Sequence, residues 1–269
     1  MKTDRFSRTL ARLLWDFERF GLIPPKWPAR FRLSEDLPKV LIVSIPKSGT
    51  HLVERVLCLH PVLHRKLIPT INEGNLSRYG GLEQLANILR RGQILVSHLY
   101  FSTQRATILK AAEVKIILMV RDPRDIAVSR AFYISQNREH EFFPLFAGKN
   151  LHEQIMLSIL GDKQAGFVSL QETLSNFIGW KKAGGLIVRF EDLINEEAKM
   201  QTIHDLYEFL GIRLDLSLQT YIAGRMVSAA SPTFRKGKSG QWQKYFDEET
   251  SRLFYDATGD LVNQYDYGN

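Results

Sequence analysis

Cysteine is nearly absent from this sequence: Cys58 is the only one among 269 residues. A single thiol excludes an intrachain disulfide and is typical of a reducing compartment. No run of about 18 apolar residues occurs, so no membrane-spanning helix is predicted. The basic N-terminal stretch, residues 1–20, contains acidic residues and lacks the continuous apolar core of a secretory signal. These absences lead us to expect a cytoplasmic protein.

Motifs for metal and nucleic-acid binding are also missing. The seven histidines show no recognisable zinc spacing, so we expect no metal site. The net charge of +7 suits an anionic ligand, but no lysine-rich tail or aromatic-basic RNA motif accompanies it. We therefore expect no nucleic-acid partner, although binding through a basic surface stays an alternative.

No internal repeat, low-complexity tract or linker divides the chain. We therefore predict one domain over residues 1–269, with an N-terminal amphipathic helix and lead-in at 1–37 and the core at 38–269. The apolar residues of the N-terminal stretch recur at helical spacing, which favours a helix docked on the core. A helix on a membrane surface is the alternative.

The most informative segment, residues 39–58, has the sequence KVLIVSIPKSGTHLVERVLC. Residues 40–45 form a run that is apolar apart from Ser44 and largely β-branched, which predicts a buried strand. The next residues break this pattern, and helical spacing begins at Thr50. A strand, a glycine-containing turn and a helix N-terminus present backbone N–H groups and a favourable dipole to an anion. The segment therefore predicts a phosphate site at residues 46–51, to which Lys47 adds a positive charge.

Strands and helices alternate along the rest of the chain. Apolar runs at 93–97, 114–120 and 186–190 predict three further strands, and 63–79 and 139–150 predict loops. The predicted helices occupy residues 82–91, 104–112, 123–138, 151–160, 168–182, 198–210, 213–228 and 247–265. This alternation favours an α/β fold with a central, mostly parallel sheet of about four or five strands, flanked by helices.

Three predicted strands are followed by a basic residue: Lys47, His98 and Arg121. Because the carboxyl ends of parallel strands share one edge of a sheet, these side chains can converge. Ser129 lies two helical turns after Arg121, and a glycine-punctuated loop at 235–237 adds Arg235 and Lys236. The pattern predicts several phosphate-binding groups and, in the histidine, one candidate proton acceptor.

Five motifs resemble those of one family, in its order. IPKSGTH (45–51) resembles the 5′-phosphosulfate loop of sulfotransferases that use 3′-phosphoadenosine 5′-phosphosulfate (PAPS). VRDPRDIAVSRAFY (120–133) resembles the family's 3′-phosphate segment, and FRKGKSGQW (234–242) resembles its C-terminal RKGxxGxW loop. VSHLYFS (96–102) and VRFEDL (188–193) are similar to its strand–histidine and (Y)EDL segments.

The resemblance implies a PAPS-dependent sulfotransferase with a P-loop-like nucleotide-binding architecture. PAPS would be the donor and adenosine 3′,5′-bisphosphate (PAP) the product, with no metal. It implies two catalytic residues: His98, the general base in an in-line transfer, and Lys47, which offsets charge on the leaving 5′-phosphate. The implied donor-binding residues are Lys47, Ser48, Gly49, Thr50, His51, Arg121, Ser129, Arg235, Lys236 and Gly237.

The sequence departs from the family pattern at three places. His51 and Leu52 replace the final threonine and tryptophan of PKSGTTW, and that tryptophan stacks on adenine. Phe190 replaces the tyrosine that often precedes Glu-Asp. Phe234 directly precedes Arg235, whereas many small-molecule members place phenylalanine one residue earlier. The adenine contact is therefore open.

Other functions stay open as alternatives. A P-loop kinase or NTPase is one, but no glycine precedes Lys47 in the loop and no predicted strand ends in an acidic magnesium ligand. A homologue without turnover is another. The acceptor is expected to be a hydroxyl or amine on a small molecule, a sugar or a lipid, with a pocket formed by loops at 63–80, 139–150 and 213–232. The oligomeric state is not predicted.

Overall fold

Five parallel strands form the centre of the structure, a computed structural model that describes residues 37–227 and 238–268. The strands are β1 (Lys39–Ser44), β2 (His64–Arg65), β3 (Gln93–Ser97), β4 (Val114–Val120) and β5 (Leu186–Arg189). They lie in the order β2-β3-β1-β4-β5, and each neighbouring pair is parallel. The predicted α/β fold is confirmed, and the described sheet is wholly rather than mostly parallel.

Helices follow or separate these strands. The α-helices are α1 (Thr50–Cys58), α2 (Gly81–Ile88), α3 (Thr103–Ala111), α4 (Pro123–Ser135), α5 (Phe143–Phe146), α6 (Leu151–Leu160), α7 (Leu170–Ile178), α8 (Phe190–Ile194), α9 (Lys199–Leu210), α10 (Leu216–Arg225), α11 (Glu248–Thr258) and α12 (Leu261–Gln264). Short 3₁₀-helices occupy Leu76–Tyr79, Gly179–Lys182 and Gln241–Lys244. Several begin at polar caps. The Asp122 side chain accepts a hydrogen bond from the Arg124 N–H, and Pro123 occupies the first turn of α4, as predicted.

Both faces of the sheet are covered. On β1, Leu41 and Val43 pack into one apolar core while Val40 and Ile42 pack into the other, and all four are fully buried. The first core is closed mainly by α2, α3, α4, α6, α7 and α11, and the second by α1, α9 and α10. A strand buried on both faces needs continuous apolar sequence, which explains the runs in β1 and β4.

The structure corrects the predicted elements at several places. β2, a two-residue strand, lies inside the stretch predicted to be irregular, and α5 lies inside the loop predicted at 139–150. The single helix predicted over 247–265 is wrong, because Gly259 has a φ of 54° and separates α11 from α12. Phe190 was predicted to end a strand but instead begins α8. Such short elements carry too few residues for a recognisable period.

The carboxyl ends of four strands meet at one edge. Val43 of β1 pairs with Ser97 of β3, and Ser44 pairs with Met119 of β4. Val120 pairs in turn with Arg189 of β5. This register places the residues that follow each strand next to one another, as the sequence predicted.

Three predicted features lie wholly or partly outside the described residues: the N-terminal helix, which falls in residues 1–36, the basic loop of Arg235, Lys236 and Gly237, and residues 228–232 of the predicted acceptor loop. Among the helices that the structure does describe, none combines the length and apolar character needed to cross a membrane.

Candidate functional site

The turn between β1 and α1 has an unusual backbone. Lys47 and Gly49 both have positive φ angles, 74° and 100°. A left-handed conformation is uncommon for lysine and favourable for glycine, so this turn needs support from neighbouring groups. The Ser48 N–H donates to the Ile45 carbonyl at 3.0 Å and closes the turn. Because α1 begins directly after Gly49, the N–H groups of its first turn adjoin this loop, as a phosphate site requires.

Two buried hydroxyls hold this turn against the sheet. Ser48 Oγ donates to the Met119 carbonyl of β4 at 3.0 Å. Thr50 Oγ1 lies 2.8 Å from Ser44 Oγ, at the end of β1. Since both the N–H and the O–H of Ser48 donate to protein carbonyls, this residue anchors the turn, and its contact with a ligand stays a prediction.

His98 directly follows β3, and its ring is oriented by β1. Nδ1 lies 2.8 Å from the backbone carbonyl oxygen of Ser44. A carbonyl can only accept, so Nδ1 carries the proton and Nε2 is left as the basic nitrogen. Ser44 Oγ lies 3.1 Å from the same Nδ1 atom, so Ser44 contacts both the histidine and Thr50 of the turn at residues 46–51. Ser44 is a site residue that the strand pattern alone did not single out.

The surroundings of His98 keep it neutral. Burial lowers the pKa of His98 below its ordinary value of 6.5, and the nearby charges of His51, Lys47 and Arg65 lower it further. The hydrogen bond to Ser44 opposes these effects on the pKa. A histidine that is neutral at pH 7, with a fixed tautomer, can accept a proton.

Lys47 contacts a residue that sequence analysis missed. Its Nζ lies 3.8 Å from the ring centroid of Tyr133, near the end of α4. Tyr133 is four residues after Ser129 and therefore lies on the same face of the helix. The motif VRDPRDIAVSRAFY includes this tyrosine, so its position in the motif was the available signal.

Arg121 follows β4 and is held by three groups. Its Nη2 donates to Asp125 Oδ2 at 3.2 Å and to the Lys238 carbonyl at 3.1 Å. Its guanidinium lies 4.4 Å from the ring centroid of Phe190. Its Nε atom is buried and has no hydrogen-bond partner among the residues described. Ser129, half-buried on α4, lies two turns further along.

Asp125 ties the C-terminal loop to this arginine. Its Oδ2 accepts from the Gly240 N–H at 2.8 Å, and its Oδ1 accepts from the Trp242 N–H at 2.9 Å. The predicted ligands Arg235, Lys236 and Gly237 lie outside the described residues, but the chain just after them is therefore anchored beside Arg121. A contact from this loop to a phosphate stays a prediction.

Phe190 connects the two halves of the site. One side of the ring packs against Gly49 of the turn at residues 46–51, and the Arg121 guanidinium lies over the ring. The sequence showed Phe190 only as a departure from a tyrosine. Its bridging position depends on β5 lying next to β4, which no local pattern reveals.

His51 has a neighbour on its own helix. His51 Nδ1 lies 3.3 Å from Glu54 Oε2, and Glu54 is fully buried. Arg65 of β2 donates to both oxygens of Glu54 at 3.0 Å. This buried ion pair joins α1 to β2, and the predicted donor contact of His51 stays a prediction. Among the described residues, no three His, Cys, Asp or Glu side chains are placed to hold a metal ion.

The sequence matches one known family over most of its length. The family described as "Sulfotransferase domain" matches residues 37–266. A 3-alpha-hydroxysteroid sulfotransferase from Cavia porcellus is 23% identical over 244 residues, which cover 80% of each chain. Sulfotransferase 6B1 from Mus musculus is 26% identical over 232 residues, covering 78% of this chain and 71% of the relative.

Solved structures share the fold. Mouse sulfotransferase SULT7A1, complexed with PAP, has a TM-score of 0.65 and 23% identity and covers 87% of this chain and 90% of its own. Retinol dehydratase in complex with androsterone and PAP has a TM-score of 0.54 and 17% identity, and the match covers 83% of this chain and 80% of the retinol dehydratase chain. A sulfotransferase from Alicyclobacillus acidocaldarius has a TM-score of 0.51 and 16% identity, and the match covers 84% of this chain and 93% of the bacterial chain.

Proposed function

Since this chain belongs to the sulfotransferase family, we propose that it transfers a sulfuryl group from PAPS to a hydroxyl or amine of an acceptor, with His98 as the general base. The observation that carries the proposal is the 2.8 Å contact between His98 Nδ1 and the Ser44 carbonyl. It leaves Nε2 unprotonated at the edge of the sheet where the phosphate turn and Arg121 also lie.

The residues at this edge suit a ligand with two separate anionic groups. The turn at 46–51 offers backbone N–H groups and the Lys47 ammonium to one of them. Arg121 offers its guanidinium to the other anionic group. The buried Nε of this guanidinium has no hydrogen-bond partner among the described residues. We infer that residues 47–51 hold the phosphosulfate end of PAPS and that Arg121 and Ser129, with the loop at 235–237, hold its 3′-phosphate.

The proposed roles follow from charge and proton position. When bound, PAPS supplies the sulfuryl group, and PAP is the product. His98 Nε2 takes the proton from the acceptor hydroxyl or amine as the acceptor attacks. Lys47 places a positive charge next to the leaving 5′-phosphate, where negative charge develops during transfer. This lowers the activation barrier, and the effect is largest in a site that excludes water.

The relatives support a small-molecule acceptor. One solved neighbour, retinol dehydratase, binds androsterone together with PAP, and another structure of it contains retinol and PAP. We propose that this chain likewise takes an organic acceptor of limited size.

Donor binding is the first test. We expect PAP to raise the melting temperature of the full-length protein and to bind in calorimetry with a dissociation constant that a metal chelator does not change. ATP with magnesium is the competing ligand. A shift with ATP and magnesium but none with PAP would contradict the proposal and favour a kinase or NTPase, whereas PAP binding without transfer to any acceptor would indicate a homologue without turnover.

Turnover is the second test, measured with radiolabelled PAPS and a panel of phenols, alcohols and amines. Lys47→Met should lower kcat by about a hundredfold to a thousandfold, since it removes a charge beside the leaving group. PAP affinity should fall in the same variant. Lys110→Met, which removes an exposed lysine at the end of α3, is the matched control and should change neither quantity. Equal kcat in the two variants would remove Lys47 from the mechanism.

A further inference from the structure

Arg130 is a cation beside the site that the proposed mechanism does not use. It follows Ser129 on α4 and is only partly exposed. Its Nη2 donates to the Val168 carbonyl, and its guanidinium carbon lies 3.9 Å from the Phe167 ring centroid. Within the described residues, no carboxylate lies at ion-pair distance from Arg130, and Nε and Nη1 form no hydrogen bond. A largely buried guanidinium without a counter-ion is costly, so it is a group that an anion would stabilise.

A continuous wall of rings leads from Lys47 to Arg130. We call it the aromatic wall, and it consists of Tyr133, His140, Phe142 and Phe167. Ring centroids of successive members are 5.5, 5.9 and 4.9 Å apart. Lys47 Nζ lies 3.8 Å from the centroid of the first ring, and the Arg130 guanidinium carbon lies 3.9 Å from that of the last. The transfer site and Arg130 therefore border the same apolar surface.

Helix geometry makes the separation short. Arg130 and Tyr133 are three residues apart on α4, so their Cβ atoms are neighbours about 5–6 Å apart. Lys47 Nζ lies over the Tyr133 ring, so the side chain that Lys47 contacts and the side chain of Arg130 start about one helical turn apart on this side of the site. A small organic molecule can span this distance.

The charges around the aromatic wall are mainly positive. Burial lowers the pKa of His140, and the charges of Arg130 and Lys47 lower it too, against an opposite effect of Glu141. Burial lowers the pKa of Arg130 to about 10, and only the Tyr100 hydroxyl opposes this effect. Glu73, which lies near Tyr100, is already paired with Arg105 at 2.7 Å. No described acid therefore neutralises Arg130.

We propose that the acceptor is a small aromatic or apolar molecule that carries an oxyanion, such as a carboxylate, and that Arg130 binds this group while the aromatic wall covers the body of the molecule. The acceptor's hydroxyl or amine then reaches His98. Arg130 is thus a specificity-determining residue, whereas an uncharged acceptor leaves its guanidinium without a counter-ion. This inference rests on the proposed function, because it assigns the acceptor class of the same site.

The test uses three phenols that differ in charge at one end: para-hydroxyphenylacetate, para-hydroxyphenylacetamide and tyramine. KM is measured for each with saturating labelled PAPS and the full-length protein, and calorimetry measures the binding of each to the protein–PAP complex. We expect the carboxylate to bind about tenfold to a hundredfold more tightly than the amide, in line with a charge-assisted hydrogen bond, and tyramine to bind most weakly.

Variants separate recognition of the anion from support of the fold. Arg130→Met should bring the ratio of the two KM values, amide over carboxylate, close to one, and Arg130→Lys should restore part of the ratio. Arg252→Met, which removes an exposed arginine on α11, should leave the ratio unchanged. If Arg130→Met lowers the melting temperature but leaves the KM ratio unchanged, Arg130 only stabilises the fold through the Val168 carbonyl, and the proposal would be wrong.

Equal affinity for the three phenols in the wild-type protein, including no measurable binding of any, also overturns the proposal. Failure of the proposed function is a different result: PAP itself would not bind, or no acceptor of any charge would receive the label.

Discussion

Gly49 and Phe190 are packed so closely that a side chain at position 49 would force the Phe190 ring to shift. A Cβ atom built on Gly49 would lie 2.6 Å from Phe190 Cδ2 and 3.0 Å from Met119 Cε. The same glycine has a φ of 100°, which disfavours any side chain. The turn at residues 46–51, the proposed binding site for the phosphosulfate, and the ring beneath Arg121 are therefore packed as one unit.

Gly49→Ala should destabilise the protein by about 2–4 kcal/mol, because it combines left-handed strain with overpacking against Phe190. Urea unfolding at pH 7 measures this change. Gly148→Ala is the matched control, since Gly148 has a φ of 77° and a Cβ added there would meet nothing within 4 Å. It should cost only the strain, about 1–2 kcal/mol. Equal costs at the two positions would show that the Phe190 contact contributes nothing.

Phe190→Leu should weaken PAP binding about threefold to tenfold, because it removes the ring beneath the Arg121 guanidinium and loosens support for the turn. Phe190→Tyr keeps the ring and should bind PAP with nearly wild-type affinity. The control is Phe209→Leu on α9. It removes a comparable ring, whose centroid lies 5.2 Å from Lys115 Nζ. Calorimetry with PAP compares the three variants. Unchanged affinity in Phe190→Leu would show that Arg121 needs no such support.

His98→Gln should lower kcat by about a hundredfold to ten-thousandfold while PAP affinity changes less than about twofold, because in the proposed mechanism this base contacts the acceptor and not the nucleotide. His204→Gln, at an exposed position on α9, is the control. Substantial turnover in His98→Gln would require another base.

The pH dependence of the wild-type protein tests the same residue. The pKa of His98 is lowered below 6.5, so His98 stays neutral to a lower pH than an ordinary histidine. The value of kcat/KM should stay constant as the pH falls to 6.5 and should decline only below pH 6.5. A decline that begins above pH 7 would contradict this assignment.

His60 should make the protein less stable in mild acid. Burial lowers the pKa of His60 to about 4, and the neutral ring bonds to the Arg213 carbonyl through Nε2 and accepts from the Val62 N–H. Below pH 6.5 the unfolded chain binds a proton that the folded chain does not, so the free energy of unfolding falls as the pH falls. Between pH 7 and pH 5 this residue should contribute a loss of about 2 kcal/mol.

The measurement is urea unfolding at both pH values in the wild type and in His60→Gln. The variant should lose less stability over this interval, because glutamine does not titrate. An identical loss in both proteins would show that His60 does not couple folding to pH.

The sequence by itself determined the strand–turn–helix at residues 39–58 and the basic residues at three strand ends. These features depend on local causes: an apolar run, a glycine turn, a change of period and the motif order. Because a parallel sheet aligns its carboxyl ends, local signals were enough to place Lys47, His98 and Arg121 on one edge.

Only the tertiary structure decided how those residues are supported. The Ser44 carbonyl that sets the His98 tautomer is 54 residues away in sequence. Phe190 supports Arg121 because β5 pairs with β4, and Arg130 lies on Phe167 because the chain folds back against α4. Contacts between distant segments leave no periodic trace in the sequence, since they depend on packing and register that form only when the whole sheet assembles.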